Sequence, residues 1–235
     1  MSESNRGRRE FLAGIAGTGV LLAAARAGGA APAAGKRKGK AEDIPPTEDL
    51  MREHGVLRRI LLVYEAAARR LAGQDALAVG AVSAAANVVR RFVEGYHEKL
   101  EEEFVLPTLE KVGKLGDLTK VIRVQHAAGR KLTDAILIAT KSGKAAAPEQ
   151  RRALVAALQS FGRMYAAHAA WEDTELFPVF RAQFTEAQLR ELGERFEEQE
   201  HKLLGSGGFE GSLKEVGDIE TTLGVHDLAA YTPAA

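Results

Sequence analysis

One unit of sequence is written twice in this chain, and it constrains the fold more than any compositional property. His97-Glu98-Lys99-Leu100-Glu101 runs on to Val105-Leu106-Pro107, and His168-Ala169-Ala170-Trp171-Glu172 runs on to Leu176-Phe177-Pro178. Each His stands four residues before a Glu and ten before a Pro. A further His precedes each unit at nearly the same distance: His54 lies 43 residues before His97, and His126 lies 42 before His168. A His and a Glu at i and i+4 project from one face of a helix. The duplication therefore asks for helices that present these pairs to a common interior.

The surrounding pattern is helical throughout. Ala, Leu, Glu, Lys and Arg dominate the middle of the chain, which favours helix over strand. Thr47 is read as a cap for a first helix to about residue 72, with Leu50, Leu57, Leu61, Tyr64 and Leu71 at helical spacing. After a short turn at 73–75, a second helix spans 76–105 and meets Pro107, which interrupts it or opens a new turn. A third, capped by Asp117, reaches Thr140, and a fourth begins after the 141–148 loop and stops before Pro178. A fifth covers 185–204, and the Gly-rich tail over 205–235 is expected to be irregular. The expected fold is all-α, an antiparallel up-down four-helix bundle over 47–204 with an additional C-terminal helix.

Arithmetic supports that arrangement. In an antiparallel hairpin, two residues share a height when they are equidistant from the turn. The midpoint of His54 and His97 falls at 75.5, of His97 and His126 at 111.5, and of His126 and His168 at 147. Each is at or beside a predicted loop, so the four histidines lie at roughly one level, about 30 Å from the first and third loops. They also fall on apolar stripes: His54 with Leu50 and Leu57, His97 with Val93 and Leu100, His126 with Leu118 and Ile122, His168 with Phe161, Tyr165, Trp171 and Leu176. Four inward imidazoles at one height fill a core poorly unless they bind something.

Four His and two Glu supply the donor set of a two-metal site. If Glu101 and Glu172 bridge two ions, the protein fills about eight of roughly twelve octahedral positions, and a bridging oxygen leaves about two for a small ligand. The chain has no Cys, which excludes thiolate ligands, disulfides and iron–sulfur clusters. Imidazole and carboxylate alone suit iron, manganese or zinc, and a bridging oxygen favours iron. A rival string, Glu-x-x-His, occurs at Glu94 to His97 and Glu198 to His201, but the two do not pair by height. His201 and His226 are read as solvated, Tyr96, Tyr165, Trp171 and Phe177 as core.

His54, His97-x3-Glu101, His126 and His168-x3-Glu172, with their Leu-Pro and Leu-Phe-Pro endings, resemble the hemerythrin-like, or HHE cation-binding, domain over about residues 47–180. The resemblance implies a four-helix bundle holding a non-haem di-iron centre with an oxo or hydroxo bridge. The implied roles are terminal nitrogen ligation by His54, His97, His126 and His168, and bridging by Glu101 and Glu172. The implied function is binding or sensing of dioxygen, nitric oxide or peroxide. An oxidoreductase consuming peroxide or nitric oxide, a ferritin-like iron store and a structural bundle are the alternatives. Oxygen-carrying members use a fifth His, whereas the set here is symmetric.

The first residues address where the protein works. Arg8-Arg9-Glu10-Phe11-Leu12 is similar to a twin-arginine export signal, and a Gly-interrupted apolar run to Ala25 follows, too short for a confident membrane span. Residues 1–34 are thus read as a signal segment and 35–46, with Lys36-Arg37-Lys38 and Pro45-Pro46, as a linker. The expected partner is the twin-arginine machinery, contact with the membrane is transient, and the destination is the periplasm or beyond. The chain carries 32 basic and 32 acidic residues, no electrostatic footprint for nucleic acid.

Overall fold

The computed structural model describes residues 44–143 and 147–233. The signal segment and most of the linker inferred from sequence lie outside these residues. The described part is all-helical. Helix α1 is Pro46–Gly73. Helix α2 covers 79–111, α3 is Gly116–Thr140, α4 covers 148–181, α5 is Glu186–Leu204 and α6 is Gly208–Leu223. None of the described helices is long and apolar enough to cross a membrane.

Helices α1 to α4 surround a shared core. Helix α1 packs on α4, α4 on α3, α3 on α2, and α2 on α1. Leu50, Leu57, Ile60 and Tyr64 of α1 meet Phe92, Val93 and Leu100 of α2, Ile122 and Ile136 of α3, and Leu158, Phe161 and Leu176 of α4, all buried. Each such side chain contributes about 1.5–3 kcal/mol by leaving water.

The helices start differently from the sequence reading. Pro46, not Thr47, opens α1, because a proline needs no amide partner in the first turn. Leu115 precedes α3 in the left-handed region at φ 53°, and Asp117 sits inside the first turn instead of capping it. Thr185 caps α5, its hydroxyl accepting from the Gln188 amide at 3.4 Å while Gln188 Oε1 accepts from the Thr185 amide at 2.9 Å.

Neither proline ends its helix. Helix α2 continues through Pro107 to Lys111, and α4 through Pro178 to Arg181. In both, the turn just before is π-wound: Glu101–Val105 and Glu172–Leu176. The Leu106 amide reaches back five residues to the Glu101 carbonyl, and the Phe177 amide to the Glu172 carbonyl. A wider turn relaxes the ladder where the proline ring would clash with a carbonyl one α-turn back. A further π-wound stretch, Val89–His97, leads into the first metal-type pair.

Much of the C-terminal tail is helical, over Gly208–Leu223, and only the described residues beyond it are largely irregular. Phe209, Ser212, Val216, Ile219 and Leu223 are buried on one face of α6, which packs on α1, the start of α2, and α5. The buried Glu200 carboxylate accepts the Phe209 amide at 2.7 Å and so satisfies the helix start. Gly208, at φ 48°, is required there, since a Cβ would lie 2.1 Å from Glu200 Oε1. Arg59 pairs with Glu220, and Arg70 donates to the Leu223 carbonyl at 2.7 Å.

Candidate metal centre

The six residues singled out by the duplication converge. His54, His97, Glu101 and Glu172 bring one ligand atom each to within 4.8 Å of one another, and so do Glu101, His126, His168 and Glu172. The two groups share both glutamates. All six side chains are buried. Helix α1 supplies His54, α2 the pair His97 and Glu101, α3 His126, and α4 the pair His168 and Glu172.

The Nε2 atoms face inward. His168 Nε2 lies 3.1 Å and His54 Nε2 3.2 Å from Glu172 Oε2. His126 Nε2 lies 3.3 Å from Glu101 Oε2, and His97 Nε2 3.6 Å from Glu101 Oε1. His97 Nε2 and His54 Nε2 stand 3.1 Å apart.

Every Nδ1 faces outward onto a named acceptor. His97 donates to Glu53 at 2.8 Å, His54 to Asp173 at 2.7 Å, His126 to Glu102 at 3.0 Å and His168 to Gln125 at 2.9 Å. Such a bond fixes the tautomer that leaves Nε2 free for a metal and orients the ring. Arg58 and Arg130 in turn hold Asp173 and Glu102. These four acceptors were missed in the sequence, although each adjoins one of the six: Glu53 and Gln125 directly precede a His, and Glu102 and Asp173 directly follow a Glu.

Both oxygens of Glu101 and both of Glu172 are buried without a hydrogen-bond partner among the described residues. Four orphaned carboxylate oxygens in a core are costly unless a cation meets them. The donor set therefore fits metal cations held by imidazole and carboxylate.

Without a metal, protons share the role. Burial opposes the charged form of His54, but the Asp173 and Glu172 carboxylates outweigh it and raise the imidazole to about 9. Burial likewise opposes charge on His126, and Glu101 and Glu102 outweigh it, to about 10. For His97 burial prevails and lowers it to about 4. Glu172 is buried too, yet His168 and His54 pull it well below the usual carboxylate range. The hydrogen bond from His126 holds Glu102 down to about 2.

Beside this centre, the Tyr165 hydroxyl donates to buried Glu98, which Arg130 also meets at 2.9 Å. Burial pushes both Glu98 and Tyr165 up. Tyr165 lies edge-on to His168 with ring centroids 5.1 Å apart, so it both packs in the core and donates a hydrogen bond. Its hydroxyl occupies the space where a side chain on Gly129 would begin, 2.0 Å from a Cβ built there.

The rival string does not assemble. Glu94 is buried but pairs with Arg90 at 2.7 Å and belongs to neither metal-type group, while Glu198 and His201 are exposed. His226 is exposed as expected. Trp171 departs from its reading as core and is 57% exposed. Three residues after His168, it is rotated to the edge of the inward stripe.

Buried helices converging on two sets of imidazole and carboxylate define a helical cation-binding protein. The description "Hemerythrin HHE cation binding domain" matches residues 46–180, and the chain belongs to that family. The chain is also 41% identical to a protein of Mycobacterium bovis and to proteins of two strains of Mycobacterium tuberculosis. Each match covers 97% of this chain and 91% of the relative, and each relative is called only an uncharacterised protein. No solved structure matches.

Proposed function

We propose that this is a non-haem di-iron protein that binds or senses dioxygen, nitric oxide or peroxide outside the cytoplasm, on an antiparallel up-down four-helix bundle. The observation that carries the reading is the pair of four-residue groups sharing two orphaned, buried carboxylates. His54 and His97 would hold one ion, His126 and His168 the other, and Glu101 and Glu172 both. Iron held this way supplies reversible one-electron chemistry and open positions for a small ligand. The chain's own contribution is to exclude water, aim the four Nε2 atoms inward, and lock each ring through its Nδ1 bond. Export by the twin-arginine machinery follows from Arg8-Arg9 and the apolar run behind them. That route suits a protein which acquires its metal and folds before it crosses the membrane.

Elemental analysis of the protein purified without a metal-binding tag tests this directly. About two irons per chain are expected, dropping below two in His97→Ala and His168→Ala and holding in His201→Ala. No metal after anaerobic reconstitution with ferrous iron would overturn the reading, and two zincs would remove its redox chemistry. Mixing the reduced protein with each ligand then separates binding, which reverses on degassing, from turnover, which consumes the ligand.

A further inference from the structure

We propose that the cleft between α3 and α4 binds a compact, neutral organic molecule with an apolar body and one hydrogen-bond acceptor. The cleft measures about 320 Å³, the lower end of the range for small-molecule sites. Leu118, Val121 and Ile122 of α3 form one wall, and Ala167 and Trp171 of α4 the other. Val121 is half exposed and Trp171 more than half, so both leave apolar surface in water that an occupant would cover.

Its floor gives the cleft a meaning beyond an exposed apolar patch. Gln125 and His168 lie there, joined by the bond from His168 Nδ1 to Gln125 Oε1. His168 Nε2 faces Glu172, so neither ring nitrogen is left for an occupant. Gln125 has spent its oxygen on the imidazole, and its amide nitrogen has no partner among the described residues. That N–H₂ is the one polar group offered from the floor, and it calls for an acceptor such as a carbonyl or ether oxygen. Asp117 at the rim is paired with the exposed Lys120 at 3.2 Å, and no Lys or Arg lines the cleft, so no free charge there calls for an ionic occupant. An indole wall and a pocket of this size suit a one-ring or two-ring molecule. The occupant would touch the back of a centre ligand through Gln125. Binding itself does not require the di-iron reading, so the two can fail separately.

Acetophenone, with one ring and one carbonyl, is the probe, and ethylbenzene is its partner of similar shape without an acceptor. Calorimetric titration of the protein, as purified and again after metal removal, should show saturable one-to-one binding of acetophenone in both forms. Ala167→Phe fills the cleft from an exposed helical position and should weaken binding at least tenfold; Val121→Arg blocks the opposite wall and should do the same. Gln125→Leu should weaken acetophenone roughly fivefold while leaving ethylbenzene unchanged. Trp171 is the only tryptophan, so its single indole N–H resonance in the metal-free protein reports the site without assignment. Its shift should saturate at the calorimetric affinity. Absence of saturable binding, or binding unaltered by both Ala167→Phe and Val121→Arg, would overturn the proposal. Equal affinity for the two probes in the unaltered protein would overturn its acceptor. An indole signal that moves on diluting the protein alone would assign the face to a second copy instead.

Discussion

Each imidazole of the centre uses both nitrogens, and the outer partners are not equivalent. His54, His97 and His126 donate to the carboxylates Asp173, Glu53 and Glu102, whereas His168 donates to the neutral amide of Gln125. A carboxylate partner makes an imidazole a stronger donor to metal and favours the more highly charged ion. The His126–His168 half should therefore be the easier to reduce. Gln125→Glu removes the difference, and the midpoint potential of that half should fall in a redox titration of the loaded protein. A potential that stays or rises would refute this electrostatic ordering. The sequence disclosed the six residues that converge but not these partners, and the reason is geometric. Glu53 precedes His54 yet serves His97, and Asp173 follows Glu172 yet serves His54. Adjacency in the chain marks the residues, and only the crossing of helices says which ring each one meets.

At the scale of the element, the same limit recurs. The apolar stripes located α1 to α5, because long amphipathic runs carry their period in every turn. What escaped was the behaviour at the prolines, where π-wound turns let α2 and α4 continue, and α6, whose three glycines mask a regular apolar face. Two substitutions probe how these elements are held. Gly129→Ala would drive a methyl group into the Tyr165 hydroxyl and force α3 from α4, costing about 1–3 kcal/mol. Adding Tyr165→Phe should recover part of that loss in denaturant titrations, and strictly additive losses would show that the hydroxyl is not the obstacle. Glu200→Ala removes the acceptor at the start of α6, with a cost of about 1–3 kcal/mol. Hydrogen exchange should then quicken over 208–223 while α1 to α4 keep their protection; uniform change across the chain would mean that α6 is not anchored there.

For the whole molecule, protons and metal compete for one set of groups, and stability should record the contest. In the metal-free protein His54 and His126 sit near 9 and 10 instead of the ordinary 6.5. The folded state thus holds their protons more tightly than the unfolded chain. That stabilisation is complete below about pH 6.5 and is lost as pH rises through about 9 to 10. His97, lowered to about 4, acts only on the acid side, where stability falls as pH drops from 6.5 towards 4. Metal reverses the first trend, because His54 and His126 must surrender their protons to bind it, and affinity climbs as protons become scarce. Bound metal in turn stabilises the fold by mass action. Calorimetric melting at pH 6.5 and pH 9, with and without prior metal removal, should therefore show the metal-free Tm falling across this interval and the gap to the loaded protein widening. A gap that narrows towards pH 9 would mean that His54 and His126 do not carry those protons, and the six-residue centre would lose its account of how it stays folded while empty.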